Sequence, residues 1–266
     1  MTDTGRPPDR AAIVAVFAHP DDESLACGGT LAWAADSGLR VIIISASKGE
    51  AGSSDPTRNP AELARTRTAE LASAARILGA AEAIALDVAD GNVRWSEPAR
   101  LIDAVQHTIV RSGAAAVITF DEDGLYWHPD HIGVHEQTTE AVRSLGSSAP
   151  ALYYVSLPDG AMRSIADAVE RRGGPAAVES LWGIPPDAFG HAAPPPTFSV
   201  DVGAYVTRKV AALRAHASQI GDRHALARMS DDDARRWLSL ECFRRAAVGN
   251  QQSDILERLT HASRHA

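Results

Sequence analysis

The sequence contains no apolar run approaching the roughly eighteen residues that a membrane-spanning helix requires, so a soluble globular chain is expected. Cysteine is nearly missing. Cys27 and Cys242 are the only two in 266 residues, too few for a disulfide framework and in no CxxC or zinc-ribbon spacing. Both are expected to be buried apolar residues in a reducing compartment. Positive charge is also in short supply: 26 Lys and Arg face 34 Asp and Glu, a formal net charge of −8. No global positive field favours nucleic acid or anionic lipid, and neither is expected as a partner. No GxGxxG fingerprint follows the first apolar run, where the glycines are the adjacent pair Gly28–Gly29, so NAD is not expected. The apolar stretch Ala11 to Ala18 is too short for a signal peptide and lacks a basic flank, which predicts a cytoplasmic protein. There is no internal repeat and no low-complexity tract.

What the chain does have is hydrophobic residues, 45% of it, and a length able to bury about 70–75% of the unfolded surface. Short β-branched runs recur at Ile13 to Phe17, Val41 to Ser45, Ile84 to Asp87, Val117 to Phe120 and Leu152 to Leu157. Helices fit between and after them, at about Leu25–Ser37, Ala61–Leu78, Pro98–Ser112, Ile132–Leu145 and Ala161–Arg172, with Gly38, Gly79 and Gly113 where C-terminal caps belong. This alternation predicts an α/β fold: a Rossmann-like, mostly parallel, doubly wound sheet with helices on both faces. Two long connections, Ser47 to Asn59 and Trp182 to Thr197, are expected as rim or lid loops. Farther on, Tyr205 to Ile220 has helical spacing, and Ser230 reads as an N-cap before Asp231, Asp232 and Asp233. Residues 1–266 are therefore expected to form one domain, with a core at about 11–157 and lid loops plus a C-terminal helical addition at 158–250. His261 and His265 fall on a polar tail and are expected at a frayed end.

The chemistry-bearing residues gather at two strand ends. Ala18–His19–Pro20–Asp21–Asp22–Glu23–Ser24 follows the first strand, and Asp121 to Trp127 leads from the fourth strand into His128–Pro129–Asp130–His131. In an open α/β sheet both loops lie at the carboxyl edge, where ligands bind. His19, Asp22 and His131 can form a facial metal set with open positions, and Asp21 can project toward a metal-bound water. The alternative for the first motif is an acidic helix N-terminus. His128 suits a donor near a developing oxyanion. Asp130 is expected either to hydrogen-bond and orient His128 or to cap the following helix. His135, four residues past His131, could be a fourth ligand or a rim histidine.

These residues resemble the PIG-L/LmbE-type metal-dependent N-deacetylases. The resemblance rests on AHPDDES with CGGTLA (Ala18 to Ser24, Cys27 to Ala32), SKGEAG (Ser47 to Gly52) and RTAELASAARILG (Arg67 to Gly79). It extends through Asp90–Gly91, HPDH (His128 to His131) and HASQ (His216 to Gln219). It implies a Rossmann-like fold and zinc held by His19, Asp22 and His131. It also implies Asp21 as general base and His128 as oxyanion stabiliser or general acid. It further places Tyr126 where it can swing onto the oxyanion, and Arg67 and Asp90 where relatives contact substrate hydroxyls. Glu50 is expected to fix a loop, and His216 is expected on a helix. Unlike the mycothiol-pathway members, this chain has an acidic DEDGLYW run before HPDH, in which Trp127 could join an aromatic wall or the core.

The expected activity is a zinc-dependent hydrolysis, with Fe2+ as the alternative metal, that removes an N-acyl group, chiefly acetyl, from a small-molecule amino-sugar substrate. Homo-oligomerisation is left open. Two rival readings share the ligand set: a non-haem Fe(II) oxygenase and a non-catalytic metal-dependent sugar-binding protein. A spare carboxylate at Asp21 and a donor at His128 serve hydrolysis and neither rival.

Overall fold

The computed structural model describes residues 11–53, 55 and 57–262. The polar segment 1–10 and His265 lie outside them, as does any statement about the side chain of His261. The strands are β1 (Ala12–Phe17), β2 (Arg40–Ser45), β3 (Glu82–Ala85), β4 (Ala114–Phe120), β5 (Ala151–Ser156), β6 (Phe198–Asp201) and β7 (Leu240–Gly249). The α-helices are α1 (Asp22–Asp36), α2 (Pro60–Leu78), α3 (Ala99–Ser112), α4 (Gly124–Trp127) and α5 (Pro129–Arg143). They continue with α6 (Ala161–Arg171), α7 (Val206–Ala215), α8 (Ala225–Arg228), α9 (Asp231–Trp237) and α10 (Ile255–Ala262).

One seven-stranded sheet has the order β3-β2-β1-β4-β5-β7-β6. The five strands β1 to β5 pair in parallel, whereas β7 runs antiparallel to both β5 and β6. Every residue of β1 (AIVAVF) is buried, the continuous apolar reading of a strand covered on both faces. The chain winds outward through β2 and β3, then returns to β4 on the other side of β1. Right-handed crossovers therefore put helices on opposite faces: α1, α2 and α7 pack together on one, α3 and α5 on the other. The core closes around β1 and β4, where Phe17 and Phe120 meet edge to face with ring centroids 5.0 Å apart.

The order reverses between β1 and β4, and their carboxyl ends open the crevice in which ligands bind in such sheets. Helices α1 and α5 begin three residues earlier than the apolar periodicity predicts, at Asp22 and Pro129 rather than Leu25 and Ile132. The HPDDE and HPDH residues thus ride on helical first turns instead of free loops. Pro129 suits a first helical position, and His128 caps it by accepting the Asp130 backbone N–H at 3.2 Å.

The C-terminal addition is only partly helical, which corrects the expectation for residues 158–250. Besides α6 to α9 it contributes β6 and β7, and β7 lies inside the sheet. Its charged residues hide this role. Glu241 is buried against Lys209 (2.6 Å), Arg244 reaches Asp121, and Arg245 reaches Glu257 at 2.7 Å. Helix α7 likewise stops at Ala215 rather than running to Ile220, with His216 at its C-cap. The turn beyond it is pinned by Glu70, which accepts from Ser218 N (2.8 Å) and Oγ (2.6 Å). Cys27 and Cys242 are free and buried. Among the described residues no helix is long and apolar enough to cross a membrane.

Candidate active site

The geometry around His19 is set by hydrogen bonds that fix which ring nitrogen carries a proton. Its Nε2 faces two carboxylates, Asp90 Oδ1 at 3.0 Å and Asp130 Oδ2 at 3.3 Å, so that nitrogen is the donor. Its Nδ1 lone pair then points at His131 Nε2 (3.3 Å) and Asp22 Oδ2 (3.5 Å). His131 is oriented in the same way: Nδ1 donates to the Gly124 carbonyl at 3.0 Å, leaving Nε2 inward, 3.3 Å from Asp22 Oδ1. The His131 ring also stacks flat on Phe120, with centroids 4.1 Å apart. Two imidazole lone pairs and a carboxylate thus converge on one point, with ligand atoms mutually within 4.8 Å. Lone pairs facing each other at that range want a cation between them, and a facial N,N,O set suits a divalent transition metal. A second group, His19, His128 and Asp130, is within the same reach. It is poorer, because the His19 nitrogen that faces Asp130 is the protonated one and the Asp130 oxygens are already engaged.

Asp130 departs from its expected role. Its carboxylate does not hold the His128 ring. It accepts from Gly91 N (2.7 Å), Val93 N (3.0 Å) and His19 Nε2 (3.3 Å). It is fully buried and is a positioning residue for His19, of the kind that fixes the tautomer of a ligating histidine. What engages His128 is the Asp130 backbone N–H, on Nδ1. In the neutral ring this assigns the proton to Nε2. Burial, with His19 nearby, also holds His128 below the usual histidine range, so the ring is a neutral donor rather than a held imidazolium.

Asp21 occupies a strained backbone position, φ 132° and ψ −28°, which a non-glycine residue adopts only when its surroundings enforce it. They do so from two sides. The Glu23 carboxylate accepts the Asp21 N–H at 3.1 Å and is itself held by Ser24 Oγ (2.6 Å) and by His216 Nε2 (2.8 Å). Arg67, on α2, donates to the carbonyls of Pro20 (2.8 Å) and Gly49 (2.9 Å) and to Asp21 Oδ2 (3.2 Å). Arg67 is only 3% exposed, so its guanidinium serves these buried partners rather than the surface. Gly49 has φ +67°, and any Cβ there would overlap the Arg67 guanidinium. Burial pushes Asp21 up to about 7, against the pull of Arg67. Asp22, although equally buried, is held low by His131 and His19. Asp90, despite its own burial, is brought down to about 2 by its bond to His19. Two adjacent carboxylates are thereby pushed apart, one toward a base and one toward a fixed anion.

A cavity of about 460 Å³ opens beside these groups, and His19, Asp21, Asp22, Arg67, Asp90, Tyr126 and His128 all line it. His131 and Asp130 lie behind, fully buried. Tyr126 is packed edge-on against His128 and His131 and leans on Phe189. The backbone on either side of it is strained, with φ 65° at both Leu125 and Trp127. Trp127 is neither cavity wall nor core: it is 51% exposed, and its Nε1 donates to His191 O. His135 bonds the Phe120 carbonyl at 3.0 Å and packs on Tyr154, away from the ligand set. Glu50 accepts the Asp90 backbone N–H at 3.0 Å and so sets that loop.

A family model for GlcNAc-PI de-N-acetylases, PIG-L, matches residues 14–142. A 1D-myo-inositol 2-acetamido-2-deoxy-alpha-D-glucopyranoside deacetylase from Acidothermus cellulolyticus is 31% identical, over 87% of this chain and 87% of its own. The chain belongs to the PIG-L family. Solved structures agree on the fold. N,N'-diacetylchitobiose deacetylase from Pyrococcus horikoshii aligns with a TM-score of 0.60 at 22% identity, over 90% of this chain and 84% of its own. GalB, the 4-carboxy-2-hydroxymuconate hydratase of Pseudomonas putida KT2440, aligns at 0.63 and 17% identity, over 91% of this chain and 99% of its own. A hydratase on the same scaffold means that fold alone does not assign PIG-L chemistry here, and the side chains must. Sequence reasoning missed Glu23, left open whether His216 approaches the site, and gave Gln219 only as part of the HASQ match, whereas it stands on the cavity wall. The Glu23 carboxylate sat in plain view inside HPDDE, but its partner lies 193 residues away.

Proposed function

We propose that this chain is a zinc-dependent N-deacetylase of an amino-sugar-containing small molecule, as the names of its PIG-L relatives suggest. The observation that carries the reading is the convergence of the His19, Asp22 and His131 ligand atoms on one side of a cavity that Asp21 and His128 also face. His19, Asp22 and His131 would hold the zinc, which would supply Lewis acidity for the scissile carbonyl and the attacking water. Asp21, held by Arg67, takes the water proton as the new C–O bond forms. His128 donates its Nε2–H toward the developing oxyanion, and Tyr126, which burial keeps protonated, supplies a second donor. When the C–N bond breaks, Asp21 returns its proton to the departing amine, giving a carboxylate and a free amino group. Arg67 and Asp90 border the cavity as the polar edge for sugar hydroxyls, after meeting their bonds to the protein. Two free, buried cysteines suit a reducing, cytoplasmic setting.

The test is amine release from N-acetylglucosamine glycosides together with bound zinc, in wild type, Asp21→Asn and His19→Ala. Asp21→Asn is expected to retain zinc while turnover drops roughly 10²–10⁴-fold, and His19→Ala to lose the metal. Equal loss of zinc in both variants, or near-normal turnover in Asp21→Asn, overturns the division of roles.

A further inference from the structure

The Pro20–Asp21 peptide is gripped at both ends. Its carbonyl accepts from Arg67 Nη2 at 2.8 Å, and its N–H donates to Glu23 Oε2 at 3.1 Å. A peptide unit is planar, so fixing both of its polar groups fixes the rotations on either side of it, and the φ of Asp21 is one of them. The value held there, 132°, is not one that an aspartate keeps unaided. The two grips differ in what supports them. Arg67 is held by carbonyls and by Asp21 itself, whereas Glu23 is a carboxylate only 1% exposed that needs further donors. Ser24 Oγ supplies one at 2.6 Å and His216 Nε2 the other at 2.8 Å, both on Oε1. Oε2 is thereby left for the Asp21 N–H. His216 has no exposure, and among the described residues its Nδ1 meets no hydrogen-bond partner, so the polar contact of the ring is spent on Glu23 alone. The end of α7 delivers it. The helix stops at Ala215, and Gln219 N and Ile220 N close the next turn on the His216 carbonyl at 3.0 and 2.8 Å. Glu70, one helical turn along α2 from Arg67, clamps that turn through Ser218.

We propose that His216 is a positioning residue for the reaction: through Glu23 it holds the Pro20–Asp21 peptide in the orientation that aims the Asp21 carboxylate, and Glu70 holds His216 in place. The proposal deepens the deacetylase reading, on which its kinetic arm rests. Without the His216 donor, Glu23 is a buried anion short of a partner and turns to find one, which releases the Asp21 N–H and lets φ relax toward the common negative range. The metal ligands are tied separately. Asp22 keeps the His19 backbone N–H at 2.8 Å, His19 keeps Asp90 and Asp130, and His131 keeps the Gly124 carbonyl. The base moves while the ligand set stays, and a misplacement of about 1 Å costs on the order of 10²-fold in rate.

The experiment compares zinc-loaded wild type with His216→Gln and His216→Asn, a pair alike in chemistry and different in reach. The Gln amide nitrogen extends to the place of Nε2 and restores the donor, and the shorter Asn amide does not. Amide exchange followed by NMR is the first readout: the Asp21 N–H is expected to exchange roughly tenfold or more faster in His216→Asn, and close to the wild-type rate in His216→Gln, with Val14 and Val16 of β1 unchanged. Amine release from an N-acetylglucosamine glycoside is the second. In His216→Asn kcat is expected to fall roughly 10–100-fold, with KM and zinc affinity within about twofold of wild type, and His216→Gln is expected to recover most of it. Glu70→Ala, at a half-buried position, is expected to lower kcat in the same sense and to add nothing on top of His216→Asn. Wild-type exchange and kcat in His216→Asn overturn the proposal. Equal loss in Asn and Gln, the result of a merely structural ring, overturns it too. If circular dichroism shows His216→Asn unfolded, Glu70→Ala decides by the same two readouts, and unchanged values there overturn it. Faster Asp21 exchange with no hydrolysis by wild type sinks the deacetylase reading alone, and hydrolysis with unchanged exchange and kcat in His216→Asn sinks the positioning alone.

Discussion

Replacing Asp130 by Asn removes one charge and exchanges one acceptor atom for a donor, in a side chain with no exposure. In the native site Oδ2 accepts from both Gly91 N and His19 Nε2, while Oδ1 accepts from Val93 N. An amide can satisfy only one of these sides. If its oxygen keeps Gly91 and His19, its NH2 meets the Val93 N–H; if it keeps Val93, the NH2 meets two donors. One orientation orphans the buried Val93 N–H, at about 1–3 kcal/mol of stability, and the other deprives both the part-buried Gly91 N–H and His19 Nε2 of this acceptor. In either orientation the His19 tautomer loses a charged acceptor at Nε2, leaving Asp90 as the remaining carboxylate. Loss of such an outer contact typically weakens metal binding by 10–100-fold, or about 1.4–2.8 kcal/mol. Zinc affinity by chelator competition and stability by urea denaturation measure the two effects independently. A folded Asp130→Asn protein with zinc affinity within about twofold of wild type would refute the claim that Asp130 acts through His19.

Other consequences are equally direct. Gly49→Ala puts a methyl into the Arg67 guanidinium at a left-handed position costing about 1–2 kcal/mol, so kcat is expected to fall with zinc content unchanged; normal kcat would show that Arg67 does not position Asp21. Lys209→Met leaves the Glu241 charge buried without its cation and is expected to cost about 3–5 kcal/mol in urea denaturation, an unchanged midpoint being the contrary result. Burial lowers His224 to about 4, so the unfolded chain, near 6.5, binds the proton more tightly between those values. Its contribution is therefore complete above pH 6.5 and is lost as pH falls toward 4. At about 1.4 kcal/mol per pH unit the loss is on the order of 3 kcal/mol. His224→Asn should remove that slope from urea midpoints taken at pH 7, 5.5 and 4.5, and identical slopes would contradict it.

How much of this could be read from the chain depended on how far apart the partners lie. Four of the five parallel strands announced themselves through β-branched runs, because a strand buried on both faces needs apolar residues throughout; the half-buried edge strand β3 (EAIA) lies two residues earlier than the run Ile84 to Asp87 suggested. His19, Asp22 and His131 were legible as a set because each follows a strand end, and strand ends meet at the switch point. Asp130 was misread because its partners, the amides of Gly91 and Val93 and the ring of His19, come from two other loops, and spacing within HPDH favoured the nearby His128. Strand β7 escaped notice because Glu241, Arg244 and Arg245 break its apolar pattern. Each is neutralised by a residue from another element, and a buried ion pair is invisible from one of its halves. His216 looked like one more residue of a helical stripe, yet the helix ends before it and frees its ring to meet Glu23.

Helix α1 is broken at Cys27, where φ is −146°, and the amides released by the break, Gly29 N and Thr30 N, are taken up by the Glu241 carboxylate at 2.9 and 2.8 Å. Gly29 also lies where any Cβ would come within 2.5 Å of Val202, so the C-terminal segments seat directly on the helix that carries Asp22. On the ribosome, with chain growth of roughly 5–20 residues per second, α1 must wait about ten seconds or more, by that rate, before residue 241 is made. Until then α1 holds uncapped amides and β5 stands as an open sheet edge. The nascent chain cannot finish the helix that carries Asp22 until β7 is made, and a truncation anywhere before β7 should yield a client for chaperones and proteases rather than a folded, weaker protein.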